Sequence, residues 1–440
     1  MYNAPFFFYL NIEVYKTGGY MGTLFVIDSS VIGPEYIVKS GEEMGLDIVF
    51  LTNLSRQEGD ALSQLTSCNF INCNTESFDE LFAIISSFPR EEVAGVITFL
   101  DSKLEICSKL CHALKIKGVD PTIGLLKDKA YVDSVIPEFT PTSISFNVSS
   151  IPYLEIKKML THSKHGLILK PSFAAGARGI RLIQQEKEVD QIETLFDPTL
   201  SKHLHPDEYV IQEVIKGELI SLEGYVLDGR VTPIGITGRR KIKDAESIFI
   251  FPYETTVSQS MLTDVVQTLV NKSGYKNGFF HTEFIASEDT AKLIDCNFGR
   301  PGGANITEII ACAYDLAPHS IYLQAMELVL NNKERIPSKF WMKKGWESVG
   351  IAYGIPTEDK VLEIICGEYM KSKHTRAQNL GDQVSPMGSS NWSWLGMLSG
   401  KSEDVFHDIE KIKIRTLNSG WVKPVYYNKG IEGAMEYLEK

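Results

Sequence analysis

The sequence has little positive charge. Its 44 lysine and arginine residues are outnumbered by 56 aspartate and glutamate residues, which gives a formal net charge of -12. Such a chain repels a nucleic-acid backbone unless a local basic stripe compensates, and the sequence contains no such stripe. We therefore expect no nucleic-acid partner.

Long hydrophobic runs are missing as well. No stretch approaches the roughly 20 apolar residues that a membrane-spanning helix needs. The apolar residues 5–10 end at Asn11 and Glu13 and lack the basic segment that precedes the core of a secretion signal. These absences predict a cytoplasmic protein without a membrane partner.

Cysteine is scarce, and its spacing suggests neither disulfide pairs nor a zinc motif. The seven cysteines form no CxxC motif, and their number is odd, which disfavours both a disulfide framework and a zinc site. Cys107 and Cys111 are four residues apart, so we expect them on one helix face as small core residues. The first 125 residues also contain no GxGxxG sequence, which disfavours a dinucleotide site there.

The chain does have the length for several domains, since 440 residues exceed a single hydrophobic core. Its first part alternates apolar strands with helices, which predicts a parallel α/β domain. A helix after Asp101 carries Ser102 and Glu105 at the spacing of a capping box. The predicted elements here are a strand at 24–27, a helix at about 34–44 closed by Gly45, and strands at 47–52 and 93–99.

The rest of the chain is predicted to be richer in strands. Asp228 and Gly229 separate two alternating runs, which is typical of a tight hairpin. The predicted strands are 167–170, 180–183, 209–212, 219–227, 230–237, 280–286 and 292–297. The predicted helices are 187–196, 306–330 and one that begins at Ser402 with Val405, Phe406, Ile409 and Ile412 on its apolar face.

Two lysines and a loop of small residues form the first candidate site. Lys170 ends a strand that runs into the small residues 174–179, and Lys129 lies upstream. Small residues let backbone N–H groups approach a polyphosphate, and lysines add charge. Alternatively, the loop is an ordinary hairpin turn and each lysine a solvated surface residue.

Three oxygen-bearing side chains form the second candidate site. Glu283 lies on one strand of a predicted pair, and Asp295 and Asn297 lie on the other, two residues apart and so on one face. Carboxylate and amide oxygens are ligands that Mg²⁺ prefers. The alternative is a solvated polar strand face, which the apolar neighbours disfavour because burying two like charges without a cation is expensive.

Arg300 follows these residues on a glycine-containing loop, where it suits a developing phosphoryl or oxyanion charge. The plainer interpretation is a loop arginine paired with a surface acid. His281 either orients a substrate or metal ligand or is a buried structural histidine. Arg239 and Arg240 could contact phosphate or substrate. Alternatively, they form a solvated basic turn. Residues 212–218 could offer backbone groups to an adenine edge or could simply connect two strands.

Taken together and in this order, these motifs resemble the ATP-grasp superfamily, and most of all its L-amino-acid ligases (dipeptide synthetases). The resemblance covers nearly the whole chain. It implies α/β and α+β domains: an N-terminal parallel α/β domain over 1–125, an ATP-grasp domain over 126–335 with a lid at about 140–210, and a C-terminal α+β domain over 336–440.

The resemblance also implies roles for individual residues. Arg300 would be catalytic, with His281 beside it, and Glu283, Asp295 and Asn297 would hold two Mg²⁺ ions, for which Mn²⁺ can substitute. The residues implied to bind ATP are Lys129, Lys170, Gly176, Gln212, Glu213, Val214, Ile215 and Glu218.

The implied reaction activates a carboxylic acid, of the amino-acid class, as an acyl phosphate and joins it to an amine, releasing ADP and phosphate. Bicarbonate or a thiol as the other substrate is an alternative, as is a nucleotide-binding protein without catalysis. Asp295 stands where the family usually has glutamate, and one extra residue separates Asn297 from Arg300. A homodimer is a possible assembly.

Overall fold

The computed structural model describes residues 22–29, 33–53, 69–173, 179–200, 205–303, 305–331 and 347–428. Within them, the strands form four sheets. No helix in these ranges is long and apolar enough to cross a membrane.

The first sheet is parallel and belongs to the amino-terminal part of the chain. The elements here are β1 (Thr23–Ile27), α1 (Pro34–Met44), β2 (Asp47–Thr52), β3 (Asn69–Asn72), α2 (Phe78–Ser86), β4 (Val93–Ile97) and α3 (Leu104–Leu114). The strand order is β3-β2-β1-β4. This arrangement confirms the predicted alternation, and Gly45 ends α1 in the left-handed region at φ 70°, where glycine is favoured. Cys107 and Cys111 are buried on α3, as predicted.

The start of α3 differs from the predicted capping box of Ser102 and Glu105. Residues Asp101–Lys103 form a 3-10 turn, and the α-helix that follows has no side-chain cap. The side chain of Lys103 is buried beside Asp28, with 3.3 Å between Nζ and Oδ2. The helix start is therefore held by a long-range ion pair rather than by a local cap, and the prediction is wrong.

A second, antiparallel sheet lies in the middle of the chain. The elements around it are α4 (Ile123–Lys127), α5 (Lys129–Val135), β5 (Ser143–Asn147), α6 (Tyr153–His162), β6 (Leu167–Pro171), β7 (Arg181–Ile183), α7 (Glu186–Asp190) and β8 (Glu208–Glu213). The strand order is β5-β8-β6-β7. The helix predicted from about 187 to 196 is confirmed over Glu186–Asp190 but is not continuous, because the chain leaves helical dihedral angles at Gln191 and resumes as a 3-10 turn over Ile192–Leu195.

The largest sheet begins with the predicted hairpin. The next elements are β9 (Glu218–Leu227), β10 (Arg230–Ile242), β11 (Ala245–Phe251), α8 (Gln259–Ser273), β12 (Gly278–Ser287), β13 (Thr290–Phe298), α9 (Ile306–Ala313) and α10 (His319–Val329). Asp228 and Gly229 connect β9 to β10 with φ angles of 52° and 79°, the positive pair that a type I′ turn requires. Part of one face of this sheet packs under α8 through apolar side chains such as Leu222 and Phe280.

Strands from the carboxyl-terminal part of the chain extend this large sheet. The remaining elements are β14 (Ser348–Tyr353), β15 (Asp359–Ile365), β16 (Lys373–Arg376), β17 (Gln383–Val384), β18 (Gly396–Lys401), α11 (Ser402–Ile409), β19 (Lys413–Thr416) and β20 (Gly420–Val422). The large sheet has the order β13-β12-β9-β10-β11-β14-β18-β16, and a small sheet has the order β17-β15-β19-β20. The domain boundaries proposed from the sequence stay a prediction.

Helix α11 begins at Ser402 as predicted, but its buried face is narrower than predicted. Val405 and Ile409 are buried, whereas Phe406 is 42% exposed. Ile412 is buried but lies beyond the end of the helix. A helix of two turns buries a single stripe, so a residue adjacent to Val405 in sequence is rotated away from the core.

Candidate functional site

The strand pair β12–β13 brings the predicted oxygen-bearing side chains together. Glu283 lies directly opposite Asp295, and His281 lies directly opposite Asn297. Opposed residues of an antiparallel pair project from the same face, so these four side chains share one side of the large sheet. This is the face opposite the one that Leu222 and its neighbours bury.

Both predicted lysines reach this face from other elements. Lys129, the first residue of α5, places Nζ 3.2 Å from Asp295 Oδ1. Lys170, on β6, donates from Nζ to the carbonyl oxygen of Ile294 at 2.9 Å. Ser172 joins the two segments, because its carbonyl oxygen accepts from the backbone N–H of Lys129 at 3.2 Å. The two cations therefore converge on β13 although they lie far apart in the sequence.

The two lysines titrate differently. Burial, together with the neighbouring charge of Lys129, lowers the pKa of Lys170 to about 8. For Lys129, burial also lowers the pKa, but the carboxylate of Asp295 outweighs it and the net pKa is raised. Among the described residues no carboxylate forms an ion pair with Lys170, so an added anion would stabilise its charged form.

Glu283 lies between two cationic side chains. Nη1 of Arg239 is 2.7 Å from Glu283 Oε1, and Nε2 of His281 is 3.3 Å from the same oxygen. Arg239 also contacts Glu246 from its Nη2. Burial opposes ionisation of Glu283, but the charge of Arg239 and the hydrogen bond from His281 hold its pKa well below the usual range. Glu283 is therefore a carboxylate at neutral pH, and Arg239 is not a solvated turn residue.

Sequence reasoning missed Glu223, which completes this row of charges. Its two carboxylate oxygens lie 2.9 Å from Nδ1 of His281. It also accepts from the hydroxyl groups of Ser221 at 2.7 Å and Thr237 at 3.1 Å. Burial lowers the pKa of His281, but Glu223 more than compensates and raises it to about 9. The available signal was the alternation of Ser221 and Glu223 with apolar residues along a predicted strand.

Arg300 lies at the end of β13. Its Nη2 donates to Asn297 Oδ1 at 3.4 Å, and its Nη1 donates to the carbonyl oxygen of Pro301 at 3.1 Å. Its Nε is buried and has no hydrogen-bond partner within the described ranges. A buried donor without an acceptor is costly, so this guanidinium suits an anion.

The predicted adenine-binding link from Gln212 onwards is largely occupied by protein contacts. Nε2 of Gln212 donates to Asp133 Oδ2 at 2.7 Å. The backbone N–H of Glu213 donates to Thr142 and that of Val214 to Gly166. Ile215 is half-buried next to them. The N–H groups of Glu213 and Val214 are therefore already satisfied.

Two further predicted nucleotide contacts have different outcomes. Glu218 accepts from Arg240 Nη2 at 2.9 Å and from Thr255 at 3.2 Å, and it also contacts the hydroxyl of Tyr253. It is thus committed to protein partners. Gly176 lies outside the described residues.

The donor set fits a magnesium ion only in part. Among the described residues, no three His, Cys, Asp or Glu side chains are grouped as ligands for a metal ion. Glu283, Asp295 and Asn297 offer two carboxylates and one amide oxygen on one face, which is what Mg²⁺ takes from a protein when phosphates and water supply its other ligands. A metal at this face therefore requires a ligand that brings its own oxygens.

Residues 163–308 match the family model of the ATP-grasp domain. No curated protein sequence matches the chain.

Solved structures match nearly the whole chain at low sequence identity. An L-amino acid ligase from Bacillus licheniformis is 15% identical, with 93% of this chain and 100% of that chain covered and a TM-score of 0.70. A phosphoribosylglycinamide synthetase from Anaerococcus prevotii is 15% identical, with 89% and 99% covered and a TM-score of 0.66. The biotin carboxylase domain of the Hydrogenobacter thermophilus 2-oxoglutarate carboxylase, solved with MgADP and bicarbonate, is 15% identical, with 96% and 95% covered and a TM-score of 0.68. The chain therefore has the ATP-grasp fold, which confirms the predicted fold class.

The buried pair of Glu223 and His281 leads to a testable prediction. His281 has a pKa of about 9 in the folded state against 6.5 in an unfolded chain, so its contribution to stability is fully present below pH 6.5 and is lost as the pH rises through 9. In Glu223→Gln the imidazolium loses its partner. We expect a loss of about 3 kcal/mol in the free energy of unfolding at pH 6 and a lower His281 pKa.

Urea unfolding at several pH values and NMR titration of His281 measure these two effects. Glu105→Gln, which removes a carboxylate from an exposed ion pair with Lys109, is the control and should change little. A Glu223→Gln protein whose His281 still titrated near pH 9 would contradict the assignment.

Proposed function

We propose that this chain, in which residues 163–308 form an ATP-grasp domain, is an ATP-dependent ligase that activates a carboxylic acid as an acyl phosphate and couples it to an amine. Its substrates are small molecules, and an amino acid is the proposed carboxylate. A cytoplasmic location remains part of this proposal.

The observation that carries the proposal is the convergence of charge on one face of the large sheet. Lys129 and Lys170 come from two other elements, and Glu283, Asp295 and Arg300 come from β12, β13 and the loop that follows. Two carboxylates beside several cations suit a metal-bound polyphosphate, because the carboxylates attract the metal ion and the cations attract the phosphate oxygens. ATP would lie between this face and the sheet β5-β8-β6-β7.

The metal would be held by Glu283, Asp295 and Asn297. Two Mg²⁺ ions follow from the family resemblance, and they would neutralise the phosphate oxygens. Arg239 and Lys129 balance the two carboxylates in this structure, so they compete with a divalent cation for the same oxygens. This competition makes metal binding depend on the nucleotide.

The reaction has two steps. A substrate carboxylate oxygen attacks the γ-phosphorus of ATP, the bond to the β-phosphate oxygen breaks, and ADP leaves. The amine then attacks the carbonyl carbon of the acyl phosphate, and inorganic phosphate leaves. Lys129 and Lys170 position the phosphates, and Arg300, with its unpaired Nε, stabilises the oxyanion.

The similar structures support ligation in general and leave the substrates open. One is an L-amino acid ligase, and another is a carboxylase domain bound to MgADP and bicarbonate. The bicarbonate bound in that carboxylase domain makes bicarbonate the alternative substrate. That domain was solved as a dimer, and a homodimer is proposed here only as a possible assembly.

An ADP-release screen over pairs of amino acids, with and without bicarbonate, tests the proposal. We expect release of ADP and phosphate that depends on both a carboxylate and an amine. Formation of AMP and pyrophosphate would contradict it, as would turnover with bicarbonate alone. Binding of MgADP with no turnover in any combination would favour a nucleotide-binding protein without catalysis.

Lys170→Ala tests the phosphate contact. Loss of one charge-assisted contact is worth about 1.5–3 kcal/mol, so kcat/KM for ATP should fall roughly 10- to 150-fold. Lys164→Ala, which removes an exposed lysine from the same antiparallel unit, is the matched control and should leave kcat/KM unchanged. Equal values for the two variants would exclude the proposed role of Lys170.

The lowered pKa of Lys170 predicts proton uptake on nucleotide binding. With a pKa of about 8, Lys170 is half neutral at pH 8, and a bound polyanion raises its pKa. Binding of MgADP at pH 8 should take up about 0.5 proton more in the wild type than in Lys170→Met, and affinity should fall as the pH rises above 8. Calorimetry in two buffers of different ionisation enthalpy measures the uptake. Identical uptake in both proteins would show that Lys170 does not meet the phosphates.

A further inference from the structure

Glu308 is a buried carboxylate that the reaction above does not use. It lies in the first turn of α9 and is only 4% exposed. Its Oε1 accepts from the hydroxyl of Tyr36 at 3.3 Å, and its Oε2 is buried without a hydrogen-bond partner among the described residues. Burying an unpaired carboxylate costs several kcal/mol unless a cation meets it, so the position is expensive for stability alone.

Glu308 lies in the helix that follows Arg300 in the chain. The backbone N–H of Ile306, the first residue of α9, donates to the carbonyl oxygen of Gly303 at 3.2 Å. Gly303 also lies against the guanidinium, since a Cβ there would be 3.7 Å from Arg300 Nη1. Burial raises the pKa of Tyr322 most, and the charges of Glu308 and Arg300 act on it in opposite directions, Glu308 raising it and Arg300 lowering it.

The neighbouring charges do not neutralise Glu308. From α1, Glu35 adds a second negative charge nearby and raises the pKa of Glu308. From β16, Lys373 places Nζ 2.6 Å from Glu35 Oε1 and also contacts the hydroxyl of Tyr36, the group that donates to Glu308. In the described part of the chain, no cation forms an ion pair with Glu308 itself. The carboxylate of Glu308 can therefore accept a cation as a direct ion-pair partner.

We propose that Glu308 binds the ammonium group of the acceptor substrate and takes its proton before the amine attacks the acyl phosphate. This inference rests on the proposed function and names its acceptor class: a primary amine that is protonated at neutral pH, such as the α-amino group of an amino acid. Bicarbonate, an anion, is repelled by this carboxylate. The inference thus separates the amine ligase from its bicarbonate alternative.

The proton transfer balances. R–NH₃⁺ and the Glu308 carboxylate give R–NH₂ and the carboxylic acid. The amine nitrogen then forms the C–N bond as the C–O bond to phosphate breaks, and the second nitrogen proton leaves with the phosphate. Burial raises the pKa of Glu308 to about 7, which suits a base that works near neutral pH.

Hydroxylamine is the probe that tests this role, because it is largely unprotonated near neutral pH and requires no base. The carboxylate is taken from the amino-acid pair that gives the highest ADP release in the wild type. Turnover of this carboxylate is measured once with the amino acid as the amine and once with hydroxylamine. In Glu308→Gln, the ratio of amino-acid to hydroxylamine turnover should fall about 100-fold, the size of a general-base effect. The wild-type ratio should rise with pH through about 7, and this step should vanish in the variant.

Two further variants control for packing. Glu327→Gln replaces another buried glutamate, on α10, and should leave the ratio unchanged. Tyr36→Phe removes the hydroxyl that Glu308 Oε1 accepts from and should lower the ratio several-fold with Glu308 still present, which keeps the proposal testable if Glu308→Gln does not fold.

Equal losses with both nucleophiles, or no loss with either, would overturn the role of Glu308. A wild-type protein that formed no hydroxamate and released no ADP would instead overturn the proposed function on which that role rests.

Discussion

Two carboxylates on neighbouring strands, directly opposite each other, are the constraint on which the site depends. Glu283 and Asp295 share one face of the large sheet, where their mutual repulsion would destabilise the strand pair unless cations compensated. The structure compensates with side chains from three elements: Arg239 on β10, His281 on β12 and Lys129 on α5. The charge on the sheet therefore determines where other parts of the chain can lie.

The same constraint accounts for the unusual state of Lys170. Lys129 already neutralises Asp295, so Lys170 reaches β13 only through a backbone carbonyl and next to a like charge. Its lowered pKa is a consequence of this arrangement rather than of burial alone. The proposed polyphosphate would bring additional negative charge to Lys129 and Lys170, which Asp295 alone does not balance.

The sequence contained much of this site because strand alternation is local. Asp295 and Asn297 are two residues apart, and their shared face follows from the period of a strand. Glu223 was missed because its meaning depends on the pairing of β9 with β12, which sets it beside His281. The same holds for Lys103, whose ion pair with Asp28 joins residues distant in sequence. A local capping signal at Ser102 could not reveal that contact.

The link after Gln212 shows a different limit. In the sequence, a strand that leads to a glycine indicates backbone N–H and C=O groups without partners. In the structure, the N–H groups of Glu213 and Val214 donate to the carbonyl oxygens of Thr142 and Gly166. Which groups a backbone leaves free depends on its neighbours in the sheet, and composition carries no information about them. Glu218, which is bound by Arg240 and Thr255, is subject to the same dependence.

Arg300 and Glu308 lie on the loop after β13 and on the helix that follows it, and the proposed acyl transfer would use both. Within the described residues, Arg300 Nε and Glu308 Oε2 are buried without a hydrogen-bond partner. Each such atom is costly, because burial removes it from water without supplying a replacement. No ion pair joins them in the described part of the chain, and the oxyanion and ammonium of the proposed reaction would satisfy both. A pair of separated, unmet charges is therefore better explained by a reaction than by stability.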